Sequence, residues 1–152
     1  TAPSGKSTML NKFLLQGITG GGILLSISAF DQPKPDRQFA ESLKRGKLVY
    51  ETVCLACHQS DGGGVPRMNP PLIKTTYVLG DKSRLIKIVL NGLQGGELEV
   101  SGENYENPMP AQKDNLTDLQ IADVLTYVRN HFGNKAGAVT PAEVSGVRKR
   151  LR

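Results

Sequence analysis

Tryptophan is absent from this 152-residue chain, and aromatic residues of all kinds make up only 5% of it. With hydrophobic residues at 38%, the apolar inventory is lean for a globular interior, which leaves room for a large apolar group to complete it. Cysteine occurs twice, at Cys54 and Cys57, and histidine twice, at His58 and His131. A bond between the two cysteines would close too small a loop to restrain the unfolded chain, so a disulfide-stapled scaffold is excluded. Basic residues interleaved with aromatics are missing, which argues against nucleic-acid binding. Gly5-Lys6-Ser7 resembles the end of a phosphate-binding loop but lacks the earlier glycine and the preceding strand. No internal repeat and no convincing strand alternation is visible. The length suits one domain and is too short for two comfortable ones.

The formal net charge of +5 is concentrated at the ends. Lys6 and Lys12 precede an apolar run, and Arg148, Lys149, Arg150 and Arg152 close the chain. From Phe13 to Phe30 there is no charge, and Ser26 and Ser28 stand where exported proteins place small residues before a cleavage point. Two readings follow: a cleaved signal peptide, which the four glycines favour, or a retained membrane anchor. Under either one the protein is exported, to the periplasm or to a membrane facing it. The expected organisation is residues 1–30 as extension plus signal or anchor, 31–36 as a Pro-containing linker, 37–133 as the functional domain, and 134–152 as a basic tail.

Within the domain the periodicity is helical. Phe39, Leu43, Gly46, Tyr50 and Val53 recur on one face and predict a helix from about Asp36 to the Cys54 region. Gly46 weakens that helix, for which a close helix crossing is the natural reason. A second helix is predicted over Asp81–Leu90, with Gly92 past its end. A third begins with a capping box of Thr117 and Gln120, carries Ile121, Val124, Leu125, Val128 and Phe132 on one face, and stops at Gly133. A short solvated tail helix starts at Thr140, with Pro141 at its first position and Glu143 closing another capping box. The loops over 59–69 and 94–113 are long for so small a domain unless they wrap something.

Cys54-Leu55-Ala56-Cys57-His58 has the C-x-x-C-H spacing of a haem-attachment site. Two thiols three residues apart near a helix end can each bond one haem vinyl group, and the next imidazole then falls under the iron. A redox dithiol would require a strand–helix context, and a zinc site would require another ligand, for which only His131, late on a strong helix, is available. A closed electron carrier needs a second axial ligand. Met9 lies in the export segment, leaving Met68 and Met109. Met109 is flanked by Pro108 and Pro110, which restrict its backbone, and it precedes the best-capped helix, so it is the expected ligand. Met68, soon after His58, is expected near the haem edge or in a loop.

On these residues, the stretch from Arg37 to Gly133 resembles a class I c-type cytochrome. In that family the first and last helices cross through a glycine and an aromatic, which Gly46, Tyr50, Val124 and Tyr127 match. The family also carries a proline whose carbonyl accepts a hydrogen bond from the haem-ligating histidine, which Pro70 matches, with Pro71 as the alternative. The resemblance implies a mostly α cytochrome c fold of three to five helices around one covalently bound haem c. It implies one-electron transfer rather than catalysis, between a periplasmic or membrane dehydrogenase and a downstream oxidase or cytochrome. Tyr77, Tyr105 and Arg84 are candidates for the haem propionates. The loops loosely resemble cytochromes associated with periplasmic quinoprotein dehydrogenases. Two alternatives remain open: a haem enzyme with an open iron position, and a fixed cytochrome subunit of a larger membrane respiratory complex.

Overall fold

The computed structural model describes residues 35–96 and 98–151, and the apolar Phe13–Phe30 segment lies outside them. The first helix, α1 (Pro35–Val49), runs without a break into a π turn (Tyr50–Cys54) and a last turn, α2 (Leu55–His58). In the π turn the Leu55 amide donates to the Tyr50 carbonyl, one residue further back than in an α-helix. The extra residue rotates everything after it by about 100° relative to α1, and Cys54, Cys57 and His58 all face one cavity. Next come a single turn, α3 (Thr76–Leu79), capped by Thr75, and α4 (Lys82–Asn91), capped by Asp81. A small antiparallel pair follows, β1 (Leu98–Val100) with β2 (Glu103–Tyr105), then α5 (Asp118–Asn130) and α6 (Pro141–Arg150). Counting α1 through α2 as one run, five helical segments carry the fold, within the three to five expected.

The hairpin corrects the expectation of no strands. Its strands are three residues each, too short for a period-2 pattern to register, and Leu98 pairs with Tyr105 across Ser101 and Gly102. Both turn residues have positive φ, which matches the right-handed twist of a two-residue hairpin.

α1 crosses α5 at Gly46. Ser42, one turn earlier, and Arg45, the residue before Gly46, both donate to the buried Asp123 carboxylate, Arg45 through Nε at 2.6 Å and Nη2 at 2.9 Å. The rings of Tyr50 and Tyr127 pack at 5.6 Å just beyond the crossing. Tyr50, Ile86, Leu90 and Ile121 are the largest of the fully buried side chains in the core. α6 is not the solvated tail helix expected from its charge. Val144 and Val147 are buried, and Glu143 receives a 3.0 Å hydrogen bond from Lys82 of α4. Both predicted capping boxes, at Thr117 and Thr140, are formed.

Candidate haem site

An apolar cleft opens between the end of α1–α2, the loops on either side of α4, and the inner face of α5. Protein atoms leave about 1260 Å³ of it empty, open mouth included. Leu85, Val89, Val124, Leu125 and Val128 supply much of its wall, and Cys54, Cys57, His58, Pro70 and Met109 all line it.

Each of these side chains is placed by identifiable local structure. His58 ends α2, and Nδ1 lies 3.0 Å from the Pro70 carbonyl. A carbonyl oxygen only accepts, so Nδ1 carries the proton and Nε2 keeps its lone pair. Of the two prolines that could accept this bond, Pro70 does so and Pro71 does not. Burial lowers the His58 pKa, and the Pro70 hydrogen bond offsets this only in part, so the ring is held neutral, as a metal ligand must be. Burial also pushes the Cys54 thiol up to about 11, with Cys57 adding to it, which keeps that sulfur protonated at neutral pH until it reacts.

The residue after His58 is unusual. Gln59 has φ 62° and ψ 166°, a region that essentially only glycine visits. Two bonds hold it there: its amide donates to the Leu55 carbonyl at 2.8 Å, and the buried Tyr50 hydroxyl donates to its carbonyl at 2.6 Å. Tyr50 therefore does more than pack in the crossing.

On the opposite loop, Met109 and Leu93 exchange backbone hydrogen bonds of 2.9 and 3.0 Å. The approach requires Gly92, which has φ 72° and where a Cβ would stand 2.2 Å from the Met109 carbonyl oxygen. Met68 does not line the cleft and is half exposed, its carbonyl accepting from the Asn107 amide. Of the three propionate candidates, Tyr77 and Tyr105 line the cleft. Arg84 instead lies over the Tyr77 ring, 4.2 Å from its centre, and the Tyr105 hydroxyl donates to Glu103. His131 is exposed at the end of α5, stacked on Tyr127.

Asn134 was not singled out from sequence, although a residue just past a Gly133 helix stop is a common place for backbone-bonding side chains. It is buried, and its amide nitrogen donates to the Leu72 and Val128 carbonyls while its oxygen accepts from the Lys74 amide. These bonds tie the Pro70–Leu72 segment to α5. Asn134→Ala is expected to strip partners from three backbone groups and lower stability by about 3 kcal/mol. Chemical denaturation of the purified protein checks it, and a loss below about 1 kcal/mol would mean that water replaces the amide.

An apolar cleft with two thiols, a neutral imidazole and a thioether on its walls fits haem in its donor chemistry. The cytochrome c family profile matches residues 43–132. The chain belongs to this family and is a class I c-type cytochrome: a domain that carries one covalent haem c and transfers electrons. Among its relatives, the cytochrome c subunit of alcohol dehydrogenase (quinone) from Gluconacetobacter polyoxogenes is 38% identical over 106 residues, 68% of this chain and 22% of that protein. The fructose dehydrogenase cytochrome subunit of Gluconobacter japonicus is 37% identical over 110 residues, with the same shares. Cytochrome c-552 of Thermus thermophilus is 31% identical over 128 residues, 70% of this chain and 95% of that protein. The chain thus spans about a fifth of the length of the dehydrogenase subunits it resembles.

Proposed function

We propose that Cys54 and Cys57 would hold the haem through two thioether bonds, that His58 and Met109 would ligate its iron, and that residues 37–133 act as a one-electron relay between a dehydrogenase and a downstream acceptor. The observation that carries this reading is the convergence of all four side chains on one apolar cleft. When bound, the haem iron supplies the one-electron Fe(III)/Fe(II) couple. The chain's own residues set the conditions for it. Pro70 fixes the imidazole tautomer and strengthens its donation. The aliphatic walls exclude water, and the paired loop around Leu93 presents the Met109 thioether.

The dehydrogenase context rests on the relatives that are cytochrome subunits of such enzymes. Export and a periplasmic setting rest on the uncharged 13–30 segment, which serves as signal or anchor. Among the described residues no helix is long and apolar enough to cross a membrane. Docking of redox partners is expected to be small and transient, burying under about 1,200 Å².

The test is attachment itself. Made in a host competent for haem maturation, the unaltered chain should carry one haem that acidified organic solvent does not extract. The Cys54→Ser/Cys57→Ser double variant should carry none that resists extraction. A colourless, folded wild-type protein with both thiols free would refute the assignment.

A further inference from the structure

We propose that Arg148, near the end of α6, is a positioning residue for the Met109 face of the haem, so that closure of the iron's sixth position depends on a helix beyond the family-matched 43–132 segment. The inference rests on Met109 being the sixth ligand. Past Met109 the chain descends through Gln112–Thr117 into α5. The inner side of this descent is fixed to α4, where the Gln112 amide donates to the Val89 carbonyl and the Lys113 amide to that of Leu90. Gln112 also donates to the Pro110 carbonyl, and both Gln112 and Leu116 line the haem cleft.

The outer side of the same descent is fixed by one guanidinium. Arg148 donates through Nη1 to the Lys113 carbonyl, through Nη2 to the Leu116 carbonyl at 3.0 Å, and through Nε to Asp118 Oδ1 at 2.7 Å. Three acceptors on a span of six residues are thereby gathered by a single planar fork, which a lysine point charge cannot reproduce. The side chain is only 20% exposed, unlike its neighbours Lys149 and Arg150, which are solvent-facing. α6 is itself anchored, by buried Val144 and Val147 and by the Lys82–Glu143 pair. The descent that follows the ligand is therefore held between α4 and α6. Removing the outer grip leaves the loop held from its α4 side, through the Leu93 and Val89 bonds, and so loosens it without unfolding α5, whose own N-terminal capping box is independent of Arg148.

The experiment uses the full haem-loaded chain with Arg148→Met, Arg148→Lys and, as a control for lost charge, Lys149→Met. Imidazole added to the oxidised protein reaches the iron only when Met109 has left it, so its binding rate reads the opening of that face. The Met–iron charge-transfer band, followed with temperature, reads the same opening without a competitor. Arg148→Met should bind imidazole on the order of tenfold faster and lose the band at lower temperature, with Arg148→Lys between it and wild type. Lys149→Met should match wild type. Should Arg148→Met fail to fold by circular dichroism, Arg148→Lys carries the comparison alone. Unchanged imidazole binding and band melting in the folded Arg148 variants would overturn the proposal, as would equal effects from Lys149→Met. A charge-transfer band that survives Met109→Ala would instead overturn the ligand assignment beneath it.

Discussion

Gly46→Val should cost about 4 kcal/mol or more of folding stability, a large share of the roughly 5–15 kcal/mol of a typical domain. A Cβ at Gly46 would stand 2.1 Å from the Asp123 carbonyl oxygen and 2.6 Å from its carbon, both backbone atoms of α5. No rotamer change relieves such a clash, so α1 and α5 must separate. As they separate, Ser42 and Arg45 are drawn away from Asp123, leaving a buried carboxylate without its partners. Even Gly46→Ala, which would gain about 1 kcal/mol in an isolated helix, should lose about 2 kcal/mol net here, because overpacking outweighs propensity. Gly146 in α6 supplies the control. The nearest foreign atom to a Cβ there is the tip of Arg150, at 3.6 Å. Gly146→Ala should stabilise by up to about 1 kcal/mol. Denaturant midpoints of the three variants check the set, and equal effects at the two glycines would mean that the close crossing does not set the cost at Gly46.

Residues near one another in sequence were legible, whereas those that meet only through the fold were not. The caps at Thr117 and Thr140 and the run that ends in Cys57-His58 each depend on neighbours within a turn or two, whereas the stop expected at Gly133 comes earlier: α5 ends at Asn130, His131 is extended, and Phe132 lies outside the helix with φ 55°. The Gly46 crossing was legible because glycine weakens a helix interior, and a second helix passing close by is what makes the missing side chain useful. The His58–Pro70 bond spans a short loop, and only the resemblance to the cytochrome family pointed to it; the structure then separated Pro70 from Pro71. Asn134 reaches a carbonyl 62 residues away and Arg148 one 35 residues away, and neither partner leaves any mark in local periodicity. The π turn is a matter of one residue's difference in hydrogen-bond register, invisible to a pattern that tolerates such a slip. The charge of the tail was misleading for a related reason: Arg148 is counted with Lys149 and Arg150 in composition, but its neighbours in space are carbonyls and a carboxylate.

Met109→Ala should turn a closed haem into an open one while leaving the chain folded. The main-chain exchange with Leu93 does not involve the Met109 side chain, and neither does the Gln112–Val89 bond, so the loop stays registered against α4. What disappears is the thioether, a soft donor that favours the reduced iron. Each tenfold loss of that preference lowers a one-electron potential by about 59 mV, and a fall of at least this size is expected. The oxidised spectrum should lose its Met–iron charge-transfer band, and the reduced protein should bind carbon monoxide readily, which the unmutated protein should resist. Met68→Ala is the comparison that gives these results their meaning. Met68 is half exposed and lies off the cleft, so its removal should leave spectrum and potential unaltered. If Met68→Ala opened the iron and Met109→Ala did not, the two loops would have exchanged roles. If the unmutated reduced protein bound carbon monoxide as readily as Met109→Ala, the sixth position would be open by design, and ligand chemistry rather than electron relay would be the function to pursue.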